Sequence, residues 1–162
     1  MVRGLTFGAT HTFALRTADD SDNWSLFSNT VEVETADSAP PARVTDLATE
    51  DPAPHAVTLV FTAPGDDSLS GTAAAYEVRI SPSLITEATW ESAQPVTVSG
   101  TPLPGGSPEH LRVTGLEPGT TVHLALRARD NVSRCSGVSN DVEATLPADT
   151  VPPGTILDLE IT

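Results

Sequence analysis

Short runs of alternating apolar and polar residues recur along the chain, separated by clusters of Pro, Gly, Asp and Ser. Val57, Leu59 and Phe61 alternate with Thr58, Val60 and Thr62, and Tyr76, Val78 and Ile80 alternate with Glu77, Arg79 and Ser81. Leu111 and Val113 flank Arg112, while Val122, Leu124, Leu126 and Ala128 alternate with His123, Ala125, Arg127 and Arg129. A period of two places one set inward and the other toward water. No helical period persists, and Ile85 to Ala93 supports a helical turn at most. Pro64-Gly65-Asp66-Asp67 and Pro104-Gly105-Gly106 read as chain reversals, because Pro fixes φ and Gly supplies positive φ. The pattern predicts an all-β antiparallel sandwich of about seven strands. Its core is expected to rest on Phe61, Tyr76, Val78, Leu116, Leu124 and Leu126.

The strand pattern is also repeated. Gly4 to Arg16 aligns with Gly115 to Arg127, and Ser28-Asn29-Thr30-Val31-Glu32 aligns with Ser139-Asn140-Asp141-Val142-Glu143. After one inserted residue, Pro40 to Leu47 aligns with Pro152 to Leu159. A repeat of that length is a small domain copied in tandem. The Pro-Pro pairs at Pro40-Pro41 and Pro152-Pro153 mark the junctions, since paired prolines form short semi-rigid spacers. Residues 1–36 are therefore expected to be the last two strands of one module. Residues 37–150 would form a complete module, and 151–162 would begin another or serve as a linker. This phase reads as a window on a longer array. A half-module at residues 1–36 is expected to fray, or to self-associate through Phe13, Leu15, Val31 and Val33.

Composition narrows the function. Of 162 residues, 22 are acidic and 8 basic, for a net charge of -14. That field repels nucleic acid and anionic membranes, and no basic patch offsets it. Aromatic residues are only 4% of the chain, so the core must be mainly aliphatic. Cys135 is the only cysteine, which excludes an intrachain disulfide. No apolar run is long enough for a membrane-spanning helix.

The order of motifs resembles the fibronectin type III family. Phe61-Thr62-Ala63-Pro64 stands where that family has Trp-x-x-Pro, and Tyr76-Glu77-Val78-Arg79-Ile80 follows. Leu116, Pro118, Thr120, Val122, Leu124, Leu126 and Ala128 come next at alternate positions, then Ser139-Asn140. Thr62 to Asp67 with Gly71 to Tyr76 is similar to repeats of large bacterial secreted proteins. The resemblance implies an immunoglobulin-like sandwich in a secreted or cell-surface protein. Two departures stand out. The core Trp is replaced by Phe61, and the corner Tyr by His11 in one copy and Val122 in the other.

Candidate chemistry is sparse. Asp19, Asp20 and Asp22 with Asn23 make a weak calcium candidate, because clustered oxygen ligands suit hard cations. The same residues also suit a turn bonded to its own backbone. The matching turn, Asp130-Asn131-Val132-Ser133-Arg134, carries a cation instead, which argues against a metal role common to both. His11, His55, His110 and His123 lack zinc-like spacing and read as surface histidines. Arg134 beside Cys135 suits a lowered thiol pKa, whereas a lone cysteine is more often inert. Trp24 and Trp90 have the chemistry to stack on a sugar, though Trp24 is expected to cover the end of a core. No catalytic residue or cofactor is implied, and the chain is not expected to be an enzyme.

The expected role is a non-catalytic spacer or protein-interaction module of an extracellular or cell-surface protein. Its partners would be neighbouring modules, and a protein or glycan touching loops that carry Asp66, Asp67, Asn131 and Arg134. An accessory module of an extracellular hydrolase acting on a polymer, or a loop-based adhesin module, is the alternative.

Overall fold

The computed structural model describes residues 2, 5, 8–37, 39–98 and 100–155. Two strands near the start, β1 (Thr10–Phe13) and β2 (Val31–Glu34), form a separate antiparallel hairpin. Seven more build an all-β sandwich: β3 (Ala48–Ala53), β4 (Ala56–Thr62), β5 (Ala75–Ser81), β6 (Gln94–Val96), β7 (Pro108–Thr114), β8 (Thr121–Arg129) and β9 (Val142–Thr145). One sheet has the order β3-β4-β7 and the other β6-β5-β8-β9, with every strand pairing antiparallel. The expected opening of a further module falls partly on residues 156–162, outside the described residues; residues 151–155 are exposed and carry no strand.

The alternating strands pack as their pattern dictates. Val57, Leu59 and Phe61 of β4 and Leu111 and Val113 of β7 meet Val78 of β5 and Leu124 and Leu126 of β8. Leu116 is buried in the same cluster, and Tyr76 packs at its edge. Each buried aliphatic side chain contributes about 1.5–3 kcal/mol relative to leaving it in water. Phe61 and Tyr76 touch edge to face with centroids 5.2 Å apart. The Tyr76 hydroxyl donates to Glu109 Oε2 at 3.2 Å, and the Leu103 amide donates to the same oxygen at 2.8 Å. These two bonds satisfy one oxygen of a buried carboxylate. Burial, reinforced by the Glu109 charge, pushes the Tyr76 phenol well above its ordinary value.

The outward face of β8 departs from simple alternation. Ala125 is expected to face water beside His123 and Arg127, yet it is fully buried. The segment between β5 and β6 crosses over it, and Trp90, at the start of a 3-10 turn (Trp90–Ser92), lies in a second core with Ile85, Ala93 and Val138. Register explains the fit. Arg79 is paired with Ala125 across the β5–β8 ladder, and Arg127 is paired with Glu77. The alanine leaves a gap between two arginines, and Trp90 fills it, with Arg79 4.8 Å and Arg127 4.9 Å from its ring. Such stacking of a guanidinium on an indole is favourable, more so when desolvated.

Trp90→Ala is expected to cost the module about 3–5 kcal/mol, the usual range for deleting a buried aromatic. Urea unfolding followed by far-UV circular dichroism measures it. A loss below about 1 kcal/mol, the scale of surface substitutions, would show that the second core is not part of the folding unit.

Candidate functional site

The loops that follow β4 and β8 meet at one end of the sandwich, beside the segment that leaves the N-terminal hairpin. Asp66 Oδ1 accepts the Asn131 amide at 3.3 Å. Arg134 Nη1 donates to the Asp37 carbonyl at 2.6 Å and to Asp37 Oδ1 at 3.0 Å. The Asp37 side chain is 2% exposed and that of Arg134 44%, so the arginine lies over a buried carboxylate. Asp37 thus joins the expected Asp66, Asp67, Asn131 and Arg134. The sequence places it in a linker and gives no sign that Arg134 reaches it.

Tight local packing holds the cluster. The Ser68 amide donates to the Pro40 carbonyl at 3.0 Å and the Ala42 amide to the Ser68 carbonyl at 2.9 Å, tying loop to linker. A Cβ on Gly65 would stand 2.2 Å from the Ser70 carbonyl oxygen, so the turn requires glycine. Burial, then the charges of Asp37 and Asp66, raises the Asp67 carboxyl above its ordinary value.

The second loop is organised by Asp130, which is buried. Its Oδ1 accepts the Val132 amide at 3.0 Å and the Arg134 amide at 2.7 Å. Asp19 does the same in the hairpin, accepting the Ser21 and Asn23 amides, each at 2.9 Å. Its other oxygen accepts Asn23 Nδ2 at 3.0 Å. These bonds hold the Asp19 carboxyl below its ordinary value, the Asn23 side chain contributing most. Asp19 therefore closes its own turn, with Asp20 and Asp22 exposed around it. Among the described residues no group of three or more His, Cys, Asp or Glu side chains is placed to hold a metal ion.

Other singled-out residues lie apart. His55 Nδ1 meets the Leu116 carbonyl at 3.0 Å and Nε2 meets Asp149 at 3.4 Å, and these contacts raise its pKa. His123 is half-buried rather than a surface histidine, with Nδ1 2.7 Å from Asp141. His110 lies within β7 and is exposed. Cys135 is exposed at a cleft of about 390 Å³ shared with Glu77, Arg127 and Arg129. The guanidinium of neighbouring Arg134 is engaged by Asp37. Trp24 does not cover a core: it is 56% exposed, and Arg16 stacks 4.3 Å from its ring.

No family model matches the chain. Chitinase A1 of Niallia circulans is 29% identical over 159 residues, covering 94% of this chain and 20% of that protein. Calcium-activated chloride channel regulator 1 of Homo sapiens and of Macaca mulatta is 35% identical over 124 residues, covering 70% of this chain and 13% of each. The chain thus spans a fifth or less of the curated relatives it matches. Among solved structures, the FN1–FN3 domains of chicken CNTN1 superpose with a TM-score of 0.50 at 15% identity, covering 88% of this chain and 44% of that one. A fibronectin type-III domain of human fibronectin type III domain containing protein 3 gives 0.46 at 17% identity, covering 74% of this chain and 98% of that one. The sandwich has the fibronectin type III fold.

The acidic cluster has a pH signature. Folding raises the Asp67 pKa above its ordinary 3.8, so the folded chain binds that proton more tightly than the unfolded one. Stability from this group is present below the unfolded value and is lost as pH rises through the folded value. At neutral pH the carboxylate is a burden. Asp67→Asn is expected to raise Tm at pH 7 and to change it little at pH 3. A lower Tm at pH 7, read by calorimetry, would show that the carboxylate is needed for the loop.

Proposed function

We propose that this chain is a non-catalytic spacer and protein-interaction segment of a larger secreted or cell-surface protein. The observation that carries the reading is the bond-for-bond recurrence of one structural unit. The β1–β2 pairs Thr10–Glu34, His11–Val33, Thr12–Glu32 and Phe13–Val31 recur as Thr121–Thr145, Val122–Ala144, His123–Glu143 and Leu124–Val142. Repeated units joined by Pro-Pro segments set length and orientation, and acidic surfaces keep neighbours apart. Among the described residues no helix is long and apolar enough to cross a membrane. We take residues 37–150 as the complete module and residues 1–36 as the end of the one before it.

A second reading is favoured by the match to Chitinase A1 over nearly the whole chain. In it the chain is an accessory module of an extracellular hydrolase and holds a catalytic domain near its polymer. The loops around Asp66, Asp67, Asn131 and Arg134 are then the contact surface.

Co-sedimentation of the purified chain with insoluble chitin, with an assay for released reducing ends, separates the readings. The spacer reading expects neither retention nor release. Retention without release, lost in a variant with alanine at Asp66, Asp67 and Asn131, would favour the accessory reading. Sustained release of reducing ends would overturn the non-catalytic assignment.

A further inference from the structure

The hairpin of β1 and β2 reproduces β8 and β9 beyond the strand register. The Leu15 amide donates to Ser28 Oγ at 3.0 Å as the Leu126 amide does to Ser139 Oγ at 3.0 Å. The Thr17 amide donates to Ser25 Oγ at 3.0 Å as the Ala128 amide does to Ser136 Oγ at 3.0 Å. The connecting turns match as well, with Asp22 at φ 61° and Ser133 at φ 71°. The two units share the strand register, these serine bonds and the form of the turn. They differ in what covers them.

In the sandwich, β8 has β5 on its free edge, with Val78 paired to Leu126. Leu124 and Leu126 are fully buried beneath the other sheet, and Val138 is 1% exposed against Trp90. Asn140 is bonded to both the amide and the carbonyl of Leu47, which fastens the lead-in segment to β9. In the hairpin Phe13, equivalent to Leu124, is half-buried, while the positions equivalent to Leu126 and Val138 are exposed. Among the described residues β1 pairs with β2 only. Leu15, equivalent to Leu126, is 68% exposed, and Phe27, equivalent to Val138, is also 68% exposed. Arg16, equivalent to the Arg127 that stacks on Trp90, lies instead over Trp24 and Phe27.

Resting on the reading of residues 1–36 as the end of a preceding module, we infer that the hairpin is a docking surface for the front part of a module of this same repeat, a unit equivalent to residues 37–114 without last two strands of its own. The occupant is defined by what the second copy already holds. It adds a β5-like strand to the open edge of β1. It lays a three-stranded sheet over Phe13 and Leu15, and a Trp90-like segment over Ala14 and Phe27. An unpaired edge flanked by exposed apolar side chains is an unstable end state, and strand addition removes both faults. Phe13 and Phe27 stand where the second copy has Leu124 and Val138, so the fitting front part carries less bulk opposite them than residues 37–114 do.

The test is a chain in which residues 37–114 are fused directly ahead of residues 4–162. Thr114 then meets Gly4 as it natively meets Gly115. Hydrogen exchange read by mass spectrometry is expected to slow at residues 10–34 by at least about 100-fold relative to the unfused chain, as a burial of this kind protects core strands. Phe13→Asp with Leu15→Asp is expected to abolish that protection. Phe13→Leu with Phe27→Val, which copies the second hairpin, is expected to increase it. Protection at β8 and β9, whose sequences occur once in the fused chain, is the internal control for folding. Equal exchange at residues 10–34 with and without the fused segment, in both the original and the Leu/Val version, would overturn the inference. So would protection that survives the two aspartates. Concentration-dependent protection in the unfused chain would assign the surface to a second copy and overturn it too.

Discussion

Trp90 is clamped between Arg79 and Arg127 above Ala125, and one side of the module depends on that clamp. A sheet that packs on one face needs cover on the other only where something apolar is presented. Ala125 offers a gap between two long cations, and the indole has the area and the electron-rich face to fill it. Arg79 Nη1 also donates to the Trp90 carbonyl at 2.7 Å, which fixes the backbone that carries the ring. The crossing segment then presents Glu87, whose Oε1 accepts the Val138 amide at 2.6 Å and whose other oxygen meets Arg127. The Val138 amide first, and Arg127 after it, hold the Glu87 carboxyl below its ordinary value. The clamp thereby reaches the connection between β8 and β9, which lies outside the named strands.

That connection is held by serine hydroxyls. Ser136 Oγ and Ser139 Oγ accept from backbone amides of β8 and donate to the Gly137 and Asn140 carbonyls. Each hydroxyl does the work of a missing ladder partner and leaves no buried amide unpaired. Such a device depends on identity at fixed spacing, not on hydrophobic pattern. Ser25, Ser28 and Asn29 preserve that identity in the first copy. The hairpin consequently has the same strand register even though, among the described residues, nothing packs on it as the sandwich packs on β8 and β9.

What the sequence reveals follows from how much of each strand is half-buried. The strands β4, β5, β7 and β8 alternate cleanly because one face meets the core. Two of the edge strands, β3 and β6, carry no such signal. β3 is Ala-Thr-Glu-Asp-Pro-Ala, with a register shift between Glu50 and Ala53, and β6 contains Pro95. Charges, bulges and prolines suit strands that must not invite further pairing, and they erase alternation. Ala125 is misread for a related reason. Its burial is decided by a segment more than thirty residues away in the chain, roughly the span of one supersecondary unit. The loop residues Asp66, Asn131 and Arg134 are visible as turn chemistry, but their meeting at Asp37 depends on how two loops and a linker approach one another.

The two Asp-led turns show how context assigns different stakes to one motif. Asp19 and Asp130 each accept two amides of their own loop, as aspartate does when it closes a turn. Asp19 is exposed and its second oxygen is satisfied by Asn23. Asp130 is 2% exposed, and its second oxygen has no hydrogen-bond partner among the described residues. At that turn the equivalent of Asn23 is Arg134, whose side chain leaves the turn for Asp37. The exchange of an amide for a guanidinium removes a local bond from Asp130 and makes a long-range one between loop and linker. A group buried without a full set of partners is costly, so the turn is less well satisfied within itself and more firmly tied to the junction. The sandwich thereby fixes the segment that connects it to the hairpin, at the cost of one under-satisfied carboxylate in its own loop.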